Sequence, residues 1–190
     1  MTALEYLQYF EDIINEEITS APYDNPDFLH YAKLNHSRQN RWFKTGELSN
    51  DLVDALTAIR EKQEWILITE PWCGDAAHSV PFIIRIAEKN PFIELTIQLR
   101  DAGNSLIDSY LTNGSKSIPK LIVRDVVGND LFTWGPRPNS CHQVYLELKD
   151  QGADFETLKT ELQKWYNENK GMDLQKEIQS LILDRKESAY

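Results

Sequence analysis

The stretch from Trp65 to Pro81, WILITEPWCGDAAHSVP, constrains the fold more than any other part of the chain. Trp65 to Thr69 is a run of apolar and β-branched residues, short enough for a strand and continuous enough to be buried on both faces. Glu70-Pro71 breaks the run and Trp72-Cys73-Gly74 makes a turn. From Asp75 onward, Ala76, Ala77, Val80, Ile83, Ile84 and Ala87 recur with helical period. Cys73 is thereby predicted at a strand-to-helix junction, where unpaired backbone N–H groups and the positive end of the helix dipole favour a thiolate. Pro81 falls inside the helix and predicts a kink.

Upstream, Leu4, Leu7, Phe10, Ile14 and Ile18 form the stripe of a first helix, and Thr19 to Asp24 is a break. Asn25-Pro26 caps a second helix running to about Phe43, and Ser49 caps a third, through about Lys62, with Leu52, Ala55, Leu56 and Ile59 on one face. Downstream, Ile93, Leu95, Ile97 and Leu99 alternate as a strand that ends at Arg100-Asp101, and Ser105 to Leu111 reads as a short helix closed by Asn113-Gly114. Leu121–Val126 and Leu131–Trp134, separated by Gly128-Asn129, predict an antiparallel hairpin. Pro119 begins its first strand, so the second brings Gly135-Pro136-Arg137-Pro138 back toward Pro119. Phe155, Leu158, Leu162, Trp165 and Tyr166 mark one late helix, and Met172, Leu174, Ile178, Leu181 and Ile182 another after Gly171. Both stripes read as core-facing, and the last can alternatively meet a second copy of the chain.

Trp72-Cys73-Gly74 at a strand-to-helix turn, Pro81 eight residues after the cysteine, and Ile118-Pro119 ahead of an apolar strand together resemble the thioredoxin superfamily over roughly residues 50 to 145. Trp72-Cys73-Gly74-Asp75 and Gly135-Pro136-Arg137-Pro138 are similar to a thioredoxin-like group that reads W-C-G-D at the turn and G-P-R-P after the last strand. The resemblance implies an α/β thioredoxin fold, a central mixed β-sheet flanked by helices, with extra N-terminal and C-terminal helices. On this reading 1–48 is an N-terminal helical extension, 49–150 the core and 151–190 a C-terminal helical extension, all in a single compact domain. It also implies a cis Ile118–Pro119 bond facing the Cys73 sulfur, and a groove formed by Trp72, Gly74, Asp75, Ile118, Pro119 and Arg137. Two positions depart from the pattern. Ala76 stands where thioredoxins have their second cysteine, and Leu67 where they tend to carry a buried acid.

Cys73 is the candidate nucleophile. A carboxylate such as Asp75 at about 7 Å costs its thiolate roughly 0.6–2.4 kcal/mol, against roughly 0.3–2 kcal/mol gained from the helix terminus. Arg137 can tip that balance or hold a substrate carboxylate; equally, it can brace the loop by pairing with Asp75 or Asp101. Cys141 follows the returning turn closely enough to act as a resolving thiol, provided its Cα comes within about 7 Å of that of Cys73. His78 reads as a surface residue, and His142 lies on the same side of the fold. Cys73, His78, Cys141 and His142 lack the paired spacing of a structural zinc site, so no metal is expected. The Cys-Gly-Phe-Ser signature of monothiol glutaredoxins is absent, and no cofactor is expected.

Two functions remain open. One is single-thiol exchange at Cys73 with a disulfide-containing protein or a low-molecular-weight thiol. The other is a redox-inactive binding module for a peptide or protein partner. A formal net charge of −10 and a pI near 4.9 argue against nucleic acid and anionic membranes as main partners. Arg38 to Lys44 interleaves basic and aromatic residues but reads as a partly exposed helix end. No apolar run approaches the ~20 residues of a membrane span, and the acidic, amphipathic MTALEYLQYFEDIINEE does not read as a secretion signal. Two distant cysteines make no disulfide scaffold. The cytoplasm is the expected location, with homo-oligomerisation through the terminal helices a further possibility.

Overall fold

The computed structural model describes residues 1–188. The central run forms β1 (Gln63–Thr69) in the middle of a four-stranded mixed sheet of order β2-β1-β3-β4. β2 (Ile93–Leu99) pairs with it in parallel, β3 (Lys120–Asp125) pairs on its other side antiparallel, and β4 (Asp130–Trp134) completes the hairpin with β3. Leu67 lies opposite Ile97 on one side and Leu121 on the other. Trp65 through Thr69 are all buried, because helices cover both faces of the sheet; this is why the run is apolar without alternation. The free edge of β2 is blunted by the N-terminus, where the Ile97 N–H donates to the Met1 carbonyl at 2.7 Å and the Met1 ammonium donates to the Ile97 carbonyl at 2.9 Å.

Local chemistry sets the helix ends. α1 (Ala3–Ile14) opens with a capping box, in which the Thr2 hydroxyl accepts from the Glu5 N–H and Glu5 accepts from the Thr2 N–H. α2 (Pro26–Thr45) begins with Asn25 as cap and proline at its first position. α3 (Asn50–Leu56) stops well short of Lys62. The Asn90 amide donates to the Leu56 and Ile59 carbonyls, at 2.7 and 2.9 Å, and so satisfies the helix end from 34 residues downstream. α4 (Gly74–Glu88) carries Pro81 in its interior and is buried along most of its length. The short helix after β2 is a single 3₁₀ turn, Leu106–Ser109. α5 (Asn139–Asp150), α6 (Phe155–Asn169) and α7 (Met172–Ser188) follow the hairpin.

α2 packs on α4, α1 on α2 and β2, and α7 on α3 and β4. Leu174, Ile178 and Ile182 of α7 are buried in the main core, so the apolar face that could have met a second copy is covered by the chain itself. α6 departs from the expectation of core packing. Tyr166 is buried, but Leu158, Leu162 and Trp165 are only partly covered and Phe155 is 67% exposed.

At the C-terminal end of β1, the Glu70 side chain is enclosed beneath the N-terminal helical layer, where its Oε1 accepts from the Asp101 N–H at 3.2 Å. Burial raises its carboxyl from 4.5 to about 7; the neighbouring Asp101 charge also raises it, while the Asp101 and Arg100 N–H groups and the Arg100 charge act the other way. A carboxyl raised on folding contributes stability that is fully present below its unfolded value near 4.5 and is lost as pH rises through 7. Glu70→Gln keeps an acceptor for Asp101 and removes the buried charge. It is expected to be more stable than wild type at pH 8, on the order of 2 kcal/mol, with the advantage gone by pH 4.5. Thermal melts across that range check this, and parallel Tm-against-pH curves for the two proteins would refute it.

Candidate functional site

Cys73 is the N-cap of α4, in extended backbone geometry with Gly74 as the first helical residue. Its thiol is only 8% exposed and donates to the Ile118 carbonyl at 3.4 Å, immediately before a cis Ile118–Pro119 bond. Burial pushes the thiol up to about 12, and the charge on Asp75 adds to the effect. The N–H groups of Ala76 and Asp75 at the helix start oppose it, as does the Arg137 guanidinium, but desolvation wins.

The Gly135–Pro138 turn presses directly on this corner. Gly135 has φ +108°, and a Cβ built on it would lie 2.2 Å from the Pro119 carbonyl oxygen, so only glycine permits the contact. The turn delivers Arg137 to Asp75, with Nη2 and Nε donating to Oδ2 at 2.6 and 3.1 Å. The Tyr166 hydroxyl of α6 donates to the other oxygen, Oδ1, at 2.8 Å. Arg137 therefore braces Asp75, whereas Asp101 pairs with its neighbour Arg100.

Cys141 lies in the first turn of α5 and is fully buried, its thiol also pushed up to about 12 by burial and by the Asp75 charge. Both cysteines are free thiols. His78, expected at the surface, is instead 3% exposed. Trp42 Nε1–H of α2 donates to its Nδ1 at 2.8 Å, so the ring proton sits on Nε2 and is given to Gln163 Oε1 of α6 at 3.0 Å. The ring stacks on Tyr166 at 4.4 Å with planes 3° apart, and burial lowers it to about 3. It is a neutral link between α2, α4 and α6. The reason lies in residues far away in sequence, since α2 and α6 close over this face of α4 from opposite sides. His142 is partly buried and stacks on Tyr145.

These elements enclose a cavity of about 540 Å³. Trp72, Cys73, Gly74, Asp75 and Arg137 form its floor, and Ile118 supports the sulfur from behind through its carbonyl. One wall is α2, with Phe28, Tyr31 and Arg38; the other is Tyr145 of α5 with Phe155, Leu158 and Leu162 of α6. Sequence reasoning found the floor but took α6, the second wall, for core packing. The signal was present in the α6 stripe, whose period is the same whether it faces a core or a chamber.

The thioredoxin family model matches residues 23–155, and the chain belongs to the thioredoxin family. Among solved structures it is similar to an HIV epitope scaffold, at 16% identity and a TM-score of 0.54, with 97% of this chain and 99% of that one covered. It is also similar to a protein of unknown function from Pseudomonas aeruginosa, at 16% identity and a TM-score of 0.49, over 75% and 86% of the two chains. Likeness at such identity concerns shape alone. Comparison with curated proteins finds no match.

Asp75→Asn leaves Arg137 enclosed without its counter-charge and removes a negative charge from beside Cys73. The variant is expected to lose about 3 kcal/mol of stability while its Cys73 thiol becomes more acidic than in wild type. Urea unfolding reads the first effect, and the pH dependence of Cys73 alkylation the second; an unchanged alkylation profile would remove Asp75 from the account of the sulfur.

Proposed function

We propose that this protein is a binding module on a thioredoxin scaffold, whose ligand occupies the cavity beside Cys73 and which has given up thiol–disulfide turnover. The observation that carries this reading is the state of the sulfur: nearly sealed, hydrogen-bonded to the Ile118 carbonyl, and pushed up to about 12. At pH 7 such a thiol is thiolate in about one molecule in 10⁵, against a few per cent for a free cysteine. Its greater intrinsic nucleophilicity recovers only about 1.5 powers of ten, leaving it roughly a hundredfold slower than free cysteine. Ala76 supplies no resolving sulfur at the usual position, and Cys141 is itself buried and raised to about 12. The Asp75 carboxylate has both oxygens engaged, by Arg137 and Tyr166.

A volume of about 540 Å³ suits a small molecule better than an extended peptide strand. The chamber has the character of a ligand site, with mainly aromatic and aliphatic walls and a few fixed polar groups. Among the described residues no helix is long and apolar enough to cross a membrane. The exchange reading keeps two favourable features, the helix N–H groups and the Arg137 guanidinium, which lower the Cys73 thiol against the larger cost of burial.

Alkylation separates the two readings. Iodoacetamide at pH 7 is expected to modify Cys73 about a hundredfold more slowly than free cysteine, with the rate still climbing at pH 10. Peptide mapping by mass spectrometry assigns the label to Cys73 or Cys141. Rapid labelling of Cys73 with a midpoint below pH 8 would sink the binding-only reading and restore single-thiol exchange.

A further inference from the structure

We propose that the occupant of the Cys73 cavity is a small organic anion, its acidic head held by Arg38 and its aromatic or aliphatic body lying against Phe28, Tyr31, Phe155 and Leu158. This rests on the binding reading above and adds the chemical class of the ligand. In a chain of formal net charge −10, the cavity is lined by four cations, Arg38, Arg137, Lys149 and Lys159, and by two carboxylates, Asp27 and Asp75, which makes it net positive. The Asp75 charge is consumed by Arg137 within the fold. Asp27 is exposed at the rim, in the first turn of α2, where a carboxylate complements the helix dipole. Lys159 is shared with Glu156.

Arg38 and Lys149 are left over: among the described residues neither has a carboxylate partner. Arg38 is the more telling of the two, because it is partly buried and held in place. Asn35, 1% exposed, donates from Nδ2 to the Pro71 carbonyl at 3.1 Å and accepts at Oδ1 from Arg38 Nη1 at 2.9 Å. The residue that orients the guanidinium is thus tied to the turn that presents Cys73. Desolvation and the neighbouring Arg41 both press the Arg38 guanidinium below its ordinary value. A partly desolvated, pre-oriented cation without a counter-charge is costly in the empty protein, and an anion beside it relieves that cost. Carboxylate and phosphate share this chemistry, and the apolar walls require either to be carried on a hydrophobic body.

The test is isothermal titration calorimetry of the full chain at physiological ionic strength with 1-naphthaleneacetate, its neutral amide and 1-naphthyl phosphate. At least one anion is expected to bind about tenfold more tightly than the amide, and the tighter of the two identifies the head group. Arg38→Gln is expected to reduce anion affinity to that of the amide while leaving amide binding unchanged, and Lys44→Gln, on the exposed end of α2, to change neither. Equal affinity of wild type for the amide and both anions overturns the anion proposal but leaves the binding module standing. No heat from any of the three at millimolar concentration overturns both. The wild-type comparison needs no variant, and retention of the anion preference in a folded Arg38→Gln protein would remove Arg38 from its role.

Discussion

Asp75 joins three parts of the chain through its two carboxylate oxygens, and the arrangement of the site depends on that junction. It belongs to the first turn of α4, receives Arg137 from the turn after β4, and receives the Tyr166 hydroxyl from α6. The first contact draws the Gly135–Pro138 turn onto the helix start. The second adds to the other ties of α6 to the body, among them His78–Gln163 and Arg41–Asn167. A buried ion pair contributes little net stability, because desolvation offsets most of the attraction. Its effect here is geometric, since two donors with fixed directions select one position for the α5–α6 hairpin above Cys73.

How much of this was legible depended on whether its cause was local. β1 and α4 are written in runs whose period and punctuation allow few alternatives, and the return of Gly135 toward Pro119 follows from hairpin geometry once both strands are recognised. The end of α3 was not legible, because Asn90 supplies the missing donors from another segment. His78 was not legible either, since nothing near it in sequence shows that Trp42 and Gln163 satisfy both ring nitrogens. The α6 stripe was seen and its destination was not. An apolar period of 3.6 reports that a face avoids water, and a ligand chamber satisfies it as well as a core does.

Charge shows the same division between what a sum and a position can report. A chain ten charges negative gives reason to discount long polyanions, which meet the whole surface, but says nothing about a recess that presents only a few side chains. The basic and aromatic interleaving at the end of α2 reads as a solvated helix end, and part of it is: Arg41 stacks on Trp42 and reaches Asn167 at the exposed rim. Arg38, one turn earlier on the same side of α2, lines the cavity. One turn of helix separates a surface charge from a candidate anchor, and the difference lies in Asn35, buried and tied to the Pro71 carbonyl, which holds the Arg38 guanidinium in place.

The character of the sulfur follows from its withdrawal from water. A helix N-terminus stabilises a thiolate by roughly 0.3–2 kcal/mol, which matters when solvent supplies the rest of the ion's hydration. Burial takes that solvent away from the thiol, and the fixed charge of Asp75 opposes a second negative charge beside it. The cavity in front of this corner is lined by Phe28 and Tyr31 of α2 and by Phe155 and Leu158 of α6. At this corner burial outweighs the helix terminus, so the surroundings of the sulfur set its acidity more than its place at the start of α4 does.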